Sequence, residues 1–237
     1  DPAGVEPNLR VYSAAPVPSL DRVVSTTSDM EVVYPGSNQV QIWRLSDLGL
    51  LHTVTLPNGP AGDEGMDTAE PRVLDDGKTV LVSTFNCGMY LMEGLEGDAP
   101  SGRLVSTFPR KKDTSCAIPV VAGNFYLVTV PAWSAVVSLD IRDPAHPREV
   151  SRVSLDPADV PHWIALSPDQ RRVVVTGYGA MAHRVVMLRF DPASGHLALD
   201  ERFREEGASS SGFLMEGKTW PHGGTAAGNP HGVVFSR

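Results

Sequence analysis

Three of the chain's seven histidines directly follow a proline: His162 in VPHWIAL, His222 in WPHGG and His231 in NPHGVV. Neutral imidazole is a ligand for borderline metals such as copper and zinc, and thiolate is another. The two cysteines, Cys87 and Cys116, supply that second ligand type. Ligands delivered from separate segments to one rigid, concave position would make a metal or small-molecule site. The chain has no G-x-S-x-G, no H-E-x-x-H, no phosphate-cradling glycine loop and no C-x-x-C. These absences weigh against hydrolase, metalloprotease, nucleotide-binding and thioredoxin chemistry.

The elements that would position these residues are short strands. VPHWIALSPDQRRVVVTGYG, residues 160 to 179, reads as a strand at His162 to Leu166, a tight turn at Ser167 to Gln170, and a β-branched strand at Arg172 to Thr176. Weaker copies of this hairpin recur. Their first strands start near residues 8, 71, 118, 162 and 231, and each of the first four is followed by three more strands. In the first copy, Pro16 and Pro18 mark a loop after a strand over Leu9 to Ser13. In the fourth, Leu197 to Phe203 is the outer strand and residues 205 to 220 read as a loop. Repeats of about 40–50 residues, each a four-strand meander, are the signature of β-propeller blades. The sequence therefore predicts an all-β propeller of four antiparallel blades, approximately 7–57, 69–108, 116–156 and 161–204, with a last strand at 230–237, all in a single domain. A two-sheet sandwich is the structural alternative.

Propeller geometry selects candidates. The first strand of a blade lines the channel and the second runs back antiparallel. Starts of first strands and ends of second strands thus share one face. The starts are Asn8, Arg72, Cys116, His162 and His231, and the ends are Asp29, Asn86, Cys87, Trp133 and Tyr178. Each has a structural reading beside the functional one. A histidine at a strand start also serves as a hydrogen bonder that ties blades together. Cys87 and Cys116 could pair as a disulfide, bind metal or pack as small apolar residues. Asp29 and Arg72 could orient a ligand or form an ion pair between blades. Trp133 and Tyr178 could wall a ring-shaped site or pack in the core, and the loop carrying His222 could fold over the channel.

The segments VVSTTSDM, QVQIWRLSDL, GKTVLVSTFNCGMY, SLDIRDPAHPREVSRV, PHWIALSPDQRRVVVTG and the terminal PHGVVFSR resemble the selenium-binding-protein and methanethiol-oxidase-like superfamily of β-propellers, and more loosely the YVTN-type propellers. The resemblance runs from Leu9 to Arg237 and is to the C-terminal part of such proteins. It implies about seven blades in the whole propeller, so further N-terminal blades or another chain would complete it. It also implies copper held by channel histidines and oxidation of small thiols such as methanethiol. Carried onto this chain, it makes His162, His231 and His222 the metal candidates.

Composition narrows the partners. Twenty Lys and Arg against 28 Asp and Glu give a net charge of −8, which disfavours nucleic acid and anionic membrane surfaces. No apolar run approaches the ~20 residues that span a bilayer. A small-molecule substrate or a protein ligand remains. Three functions are in play: a copper-dependent oxidase, a non-catalytic propeller that binds a protein or small ligand, and a lactonase-like hydrolase with a divalent metal. The last would draw on Asp29, Glu70, Asn8 and Asn86.

Overall fold

The computed structural model describes residues 10–28, 37–110, 114–178, 183–225 and 227–236. Asn8 and Asp29 lie outside the described residues. The fold is all-β: four sheets, each a four-strand antiparallel meander in chain order. The first comprises β1 (Val11–Val17), β2 (Arg22–Thr27), β3 (Gln39–Arg44) and β4 (Leu50–Thr55). The second comprises β5 (Thr68–Val73), β6 (Val80–Thr84), β7 (Gly88–Glu93) and β8 (Ser101–Thr107). The third comprises β9 (Pro119–Ala122), β10 (Phe125–Val130), β11 (Ala135–Asp140) and β12 (Arg148–Ser154). The fourth comprises β13 (Pro161–Leu166), β14 (Arg172–Gly177), β15 (Arg184–Phe190) and β16 (Leu197–Leu199), with β17 (Phe213–Leu214) also on β15.

The chain divides into two compact units, residues 1–115 with 143–147, and residues 116–142 with 148–237. Each holds two sheets. In the first unit, valines of β2, β3 and β4 meet Val80, Val82, Tyr90 and Met92 in one core. In the second, Val136, Ile118 and Leu127 meet Ile164, Val173, Val175, Val186 and Leu188. Successive strand residues face opposite ways, so Val174, Val185 and Met187 point to the other face of the fourth sheet. That is why the second strand reads Val-Val-Val rather than alternating: Val173, Val174 and Val175 are 0%, 4% and 1% exposed, the pattern of a strand buried on both faces.

A recurring threonine clamp joins successive meanders. Thr26 on β2 donates its hydroxyl to the carbonyl of Ala69 on β5. Thr129 on β10 donates to the carbonyl of His162 on β13 at 2.9 Å, and Thr176 on β14 donates to that of His231 at 3.2 Å. Thr84 of β6, at the same strand end, turns instead to the Glu64 carbonyl at 2.6 Å.

Four expectations need correction. Pro16 belongs to β1 rather than to a loop, because β1 is an edge strand and tolerates a residue without an N–H. The loop is instead a single 3₁₀ turn, Pro18–Leu20, closed by Asp21 at φ 54°. The outer strand β16 stops at Leu199. Two residues of the stretch expected as loop, Phe213 and Leu214, take the other end of β15, pairing Val185 and Arg184. Finally, residues 230–236 form no strand. They keep strand-like alternation, with Val233 and Phe235 packed on Val174, Val185 and Met187 while Val234 is 82% exposed, but no ladder partner lies beside them among the described residues.

Candidate functional site

His162 is the second residue of β13, and there the strand is irregular. Pro161 sits opposite Gly177 and Trp163 opposite Thr176, so His162 is an extra residue on its strand. Such a bulge twists the strand and re-aims a side chain. β1 and β5 are irregular at the same stage, around Tyr12 and around Ala69 and Glu70. The backbone of His162 is pinned twice, its carbonyl accepting from the Ile118 amide at 3.2 Å and from the Thr129 hydroxyl.

His231 arrives from the C-terminal segment. Its carbonyl accepts from Thr176, and two residues on, the carbonyl of Val233 accepts from the Trp163 indole at 3.0 Å. These two bonds hold residues 231–233 along the start of β13 and the end of β14. The result is that His231 Nε2 lies 3.2 Å from His162 Nε2. The two rings are stacked, with centroids 5.0 Å apart. Tyr178, immediately after β14, closes the group: its ring lies 4.1 Å from His231 and 5.4 Å from His162. Tyr178 is 47% exposed, so it is not core packing. His231 is exposed as well, and His162 is partly so.

Chemically, a 3.2 Å contact between two Nε2 atoms is a hydrogen bond when one nitrogen carries the proton and the other does not. The same spacing suits a shared metal ion. Two imidazoles on one tetrahedral ion, each at about 2.0–2.1 Å, set their nitrogens about 3.4 Å apart. The donor set therefore fits copper or zinc with two ligands. No group of three or more His, Cys, Asp or Glu side chains is gathered among the described residues.

The other sequence candidates have surroundings of their own. His222 is exposed in a tight turn in which the Gly223 amide donates to the Trp220 carbonyl at 2.8 Å, and it joins no three-ligand group with His162 and His231. Neither Cys87 nor Cys116 is a free thiol, and both are buried, which removes them as thiolate ligands. Arg72 pairs with Glu70 two residues away on β5, at 2.6 Å, and Ser13 of β1 donates to the same carboxylate oxygen at 2.9 Å. Burial, with Glu70 nearby, pushes the Tyr12 hydroxyl up to about 12. Trp133 ends the 3₁₀ turn Pro131–Trp133, with the Arg152 guanidinium of the outermost strand 4.0 Å over its ring. Sequence reasoning missed Trp163 and Thr176 as the groups that seat His231. The threonine was visible as a repeated strand ending, and the indole had no local signal.

No family model matches the chain, and no curated protein matches it. Solved structures do. A hypothetical selenium-binding protein from Sulfolobus tokodaii shares 17% identity at a TM-score of 0.66, over 80% of this chain and 53% of its own. The periplasmic gluconolactonase of Pseudomonas aeruginosa shares 17% at 0.61, over 82% and 55%. BamB of Moraxella catarrhalis shares 13% at 0.50, over 76% and 43%. The chain spans about half the length of these structures. Identities this low carry the fold and not the activity. In fold, then, the chain is a β-propeller of four-stranded antiparallel blades.

Proposed function

We propose that the chain is part of a selenium-binding-protein-like propeller that works as a metal-dependent oxidoreductase on a small thiol, with His162 and His231 as two ligands of a copper ion. The observation that supports this reading most is the 3.2 Å approach of the two Nε2 atoms from segments far apart in sequence. Copper, when bound, supplies one-electron and oxygen chemistry and an affinity for sulfur donors. The protein's own contribution is positional. The bulge at His162 and the Thr176 and Trp163 bonds fix the two histidines from separate segments, and the Tyr178 ring packs against both. Two protein ligands leave room for a thiolate beside them.

Metal analysis of the purified protein after copper loading tests the reading. About one copper per chain should be retained, most of it lost in His231→Ala and in His162→Ala, with methanethiol consumption following the metal. No retained copper, together with no effect of His231→Ala, would sink it. The lactonase-like reading draws only on fold likeness. Glu70, the carboxylate of that set among the described residues, is already engaged by Arg72 and Ser13. A propeller that merely binds a ligand predicts that variants on the loops, and not at the histidines, abolish binding.

A further inference from the structure

Arginines 172 and 189 sit directly opposite each other across β14 and β15. Like charges placed this way repel and weaken the pairing. Arg171 precedes them, with its carbonyl taking the Phe190 amide at 2.8 Å. None of the three guanidinium groups has an ion-pair partner among the described residues, although the chain is acidic overall. All three line an open groove of about 490 Å³, bounded by the turn between β13 and β14 and the turn between β15 and β16.

The aspartates of the same groove form no direct ion pair with these three guanidinium groups. Asp169 accepts the Ser167 hydroxyl at 2.5 Å and the Arg171 amide at 3.1 Å. Asp191 accepts the Ser194 hydroxyl at 2.5 Å and the Ala193 amide at 3.1 Å. Asp200 accepts the Arg202 amide at 3.2 Å and faces its guanidinium. Each carboxylate is engaged by the turn it closes. The field of the arginines reaches them nonetheless, since Arg172 and Arg171 help hold Asp169 below the usual carboxylate range, after the Ser167 and Arg171 hydrogen bonds.

We propose that this groove is an oxyanion site, taking a phosphate group carried by a small molecule, with Arg172 and Arg189 as its forks. A guanidinium matches the paired oxygens of phosphate, and two forks opposed across a ladder grip one dianion from both sides. The bound anion turns a repulsive cross-strand pair into an attractive trio. The site is separate from the histidine cluster: the groove lies at the Leu166 end of β13, and His162 at its beginning.

The probe is inorganic phosphate. Thermal unfolding is compared in sodium phosphate and in sodium chloride of equal ionic strength, for the unaltered chain and for Arg189→Gln, Arg172→Gln and Asp191→Asn. Phosphate stabilises folded proteins generically, and that part is common to all four. The unaltered chain should gain an extra rise in midpoint that both arginine variants lose. Arg189→Gln should melt higher than the unaltered chain in chloride and lower in phosphate. Calorimetric titration should show affinity for phosphate falling about tenfold or more in each arginine variant and rising in Asp191→Asn. An equal response of all chains to phosphate, or titration heats that the arginine variants leave unchanged, would overturn the proposal and make the groove a plain solvated face.

Discussion

Glu64 offers a demanding test of how the first unit is held together. Its side chain is 2% exposed, yet it is a carboxylate. Four backbone amides point at it: Gly59 at 2.9 Å, Gly62 at 3.1 Å and Asp63 at 3.2 Å on Oε2, and Ala61 at 2.6 Å on Oε1. Burial alone would raise its pKa, but the amides of Ala61, Asp63, Gly59 and its own residue outweigh burial and hold it below the ordinary value of 4.5. The carboxylate thus closes the loop between β4 and β5, and its own carbonyl takes the Thr84 hydroxyl at 2.6 Å. In Glu64→Gln one oxygen remains and an NH₂ faces an amide. Losing one charge-assisted bond and stranding one buried donor costs about 2–4 kcal/mol. Glu64→Ala strands all four amides and costs more. The assay is urea unfolding at pH 7 and at pH 3. A carboxylate with a depressed folded pKa stabilises above its unfolded value and loses that contribution as pH falls through the folded value. The gap between the native chain and Glu64→Gln should therefore be widest at pH 7 and shrink at pH 3. A gap under about 0.5 kcal/mol at pH 7, in the range of ordinary surface substitutions, or one that does not change with pH, would refute the reasoning.

Three further outcomes follow from the geometry. Asp140, bonded by Arg142 through its side chain and amide, is held down to about 2 from 3.8, so the acid limb of unfolding should retain its contribution above pH ~4 and lose it towards pH ~2; Asp140→Asn should flatten that limb. Val175→Ala, in a strand buried on both faces, should cost about 2–3 kcal/mol in denaturant unfolding, while Val234→Ala, on the exposed side of the C-terminal segment, should cost under about 0.5. Alkylation of the unreduced chain in denaturant should label no cysteine, because neither Cys87 nor Cys116 is a free thiol; stoichiometric labelling would contradict the structure.

The sheets were legible because their signals are local. Turn residues such as Ser167-Pro168-Asp169 and the β-branched run at Arg172 to Thr176 each report on a hairpin, and repetition made the hairpin a blade. The ends of the chain's elements were less legible. Residues 231–235 alternate like a first strand, and the structure confirms the alternation, but a strand needs a partner's backbone, and periodicity cannot supply one. Likewise β17 is two residues long, too short for any pattern, and exists because β15 offers an unpaired end beside Arg184 and Val185.

The site was half legible. Equal distance along the repeat placed His162, Tyr178 and His231 together, and the structure brings all three within ring contact. The same rule named Arg72 and Trp133, and it did not foresee Glu70 beside the one or Arg152 over the other. A strand-end rule gives a position and not an orientation. Bulges decide orientation here, and an extra residue in a ladder leaves no mark in the sequence. The arginine pair was hidden for a related reason: Arg172 and Arg189 are ordinary surface residues until register sets them face to face.

The claim that His162 and His231 share one metal ion is tested most directly by X-ray absorption at the copper edge of the copper-loaded chain. The account predicts scattering from two imidazole nitrogens at about 2.0 Å, falling to one in His231→Ala and to one in His162→Ala. A copper shell with no imidazole, or one that His231→Ala leaves intact, would contradict it.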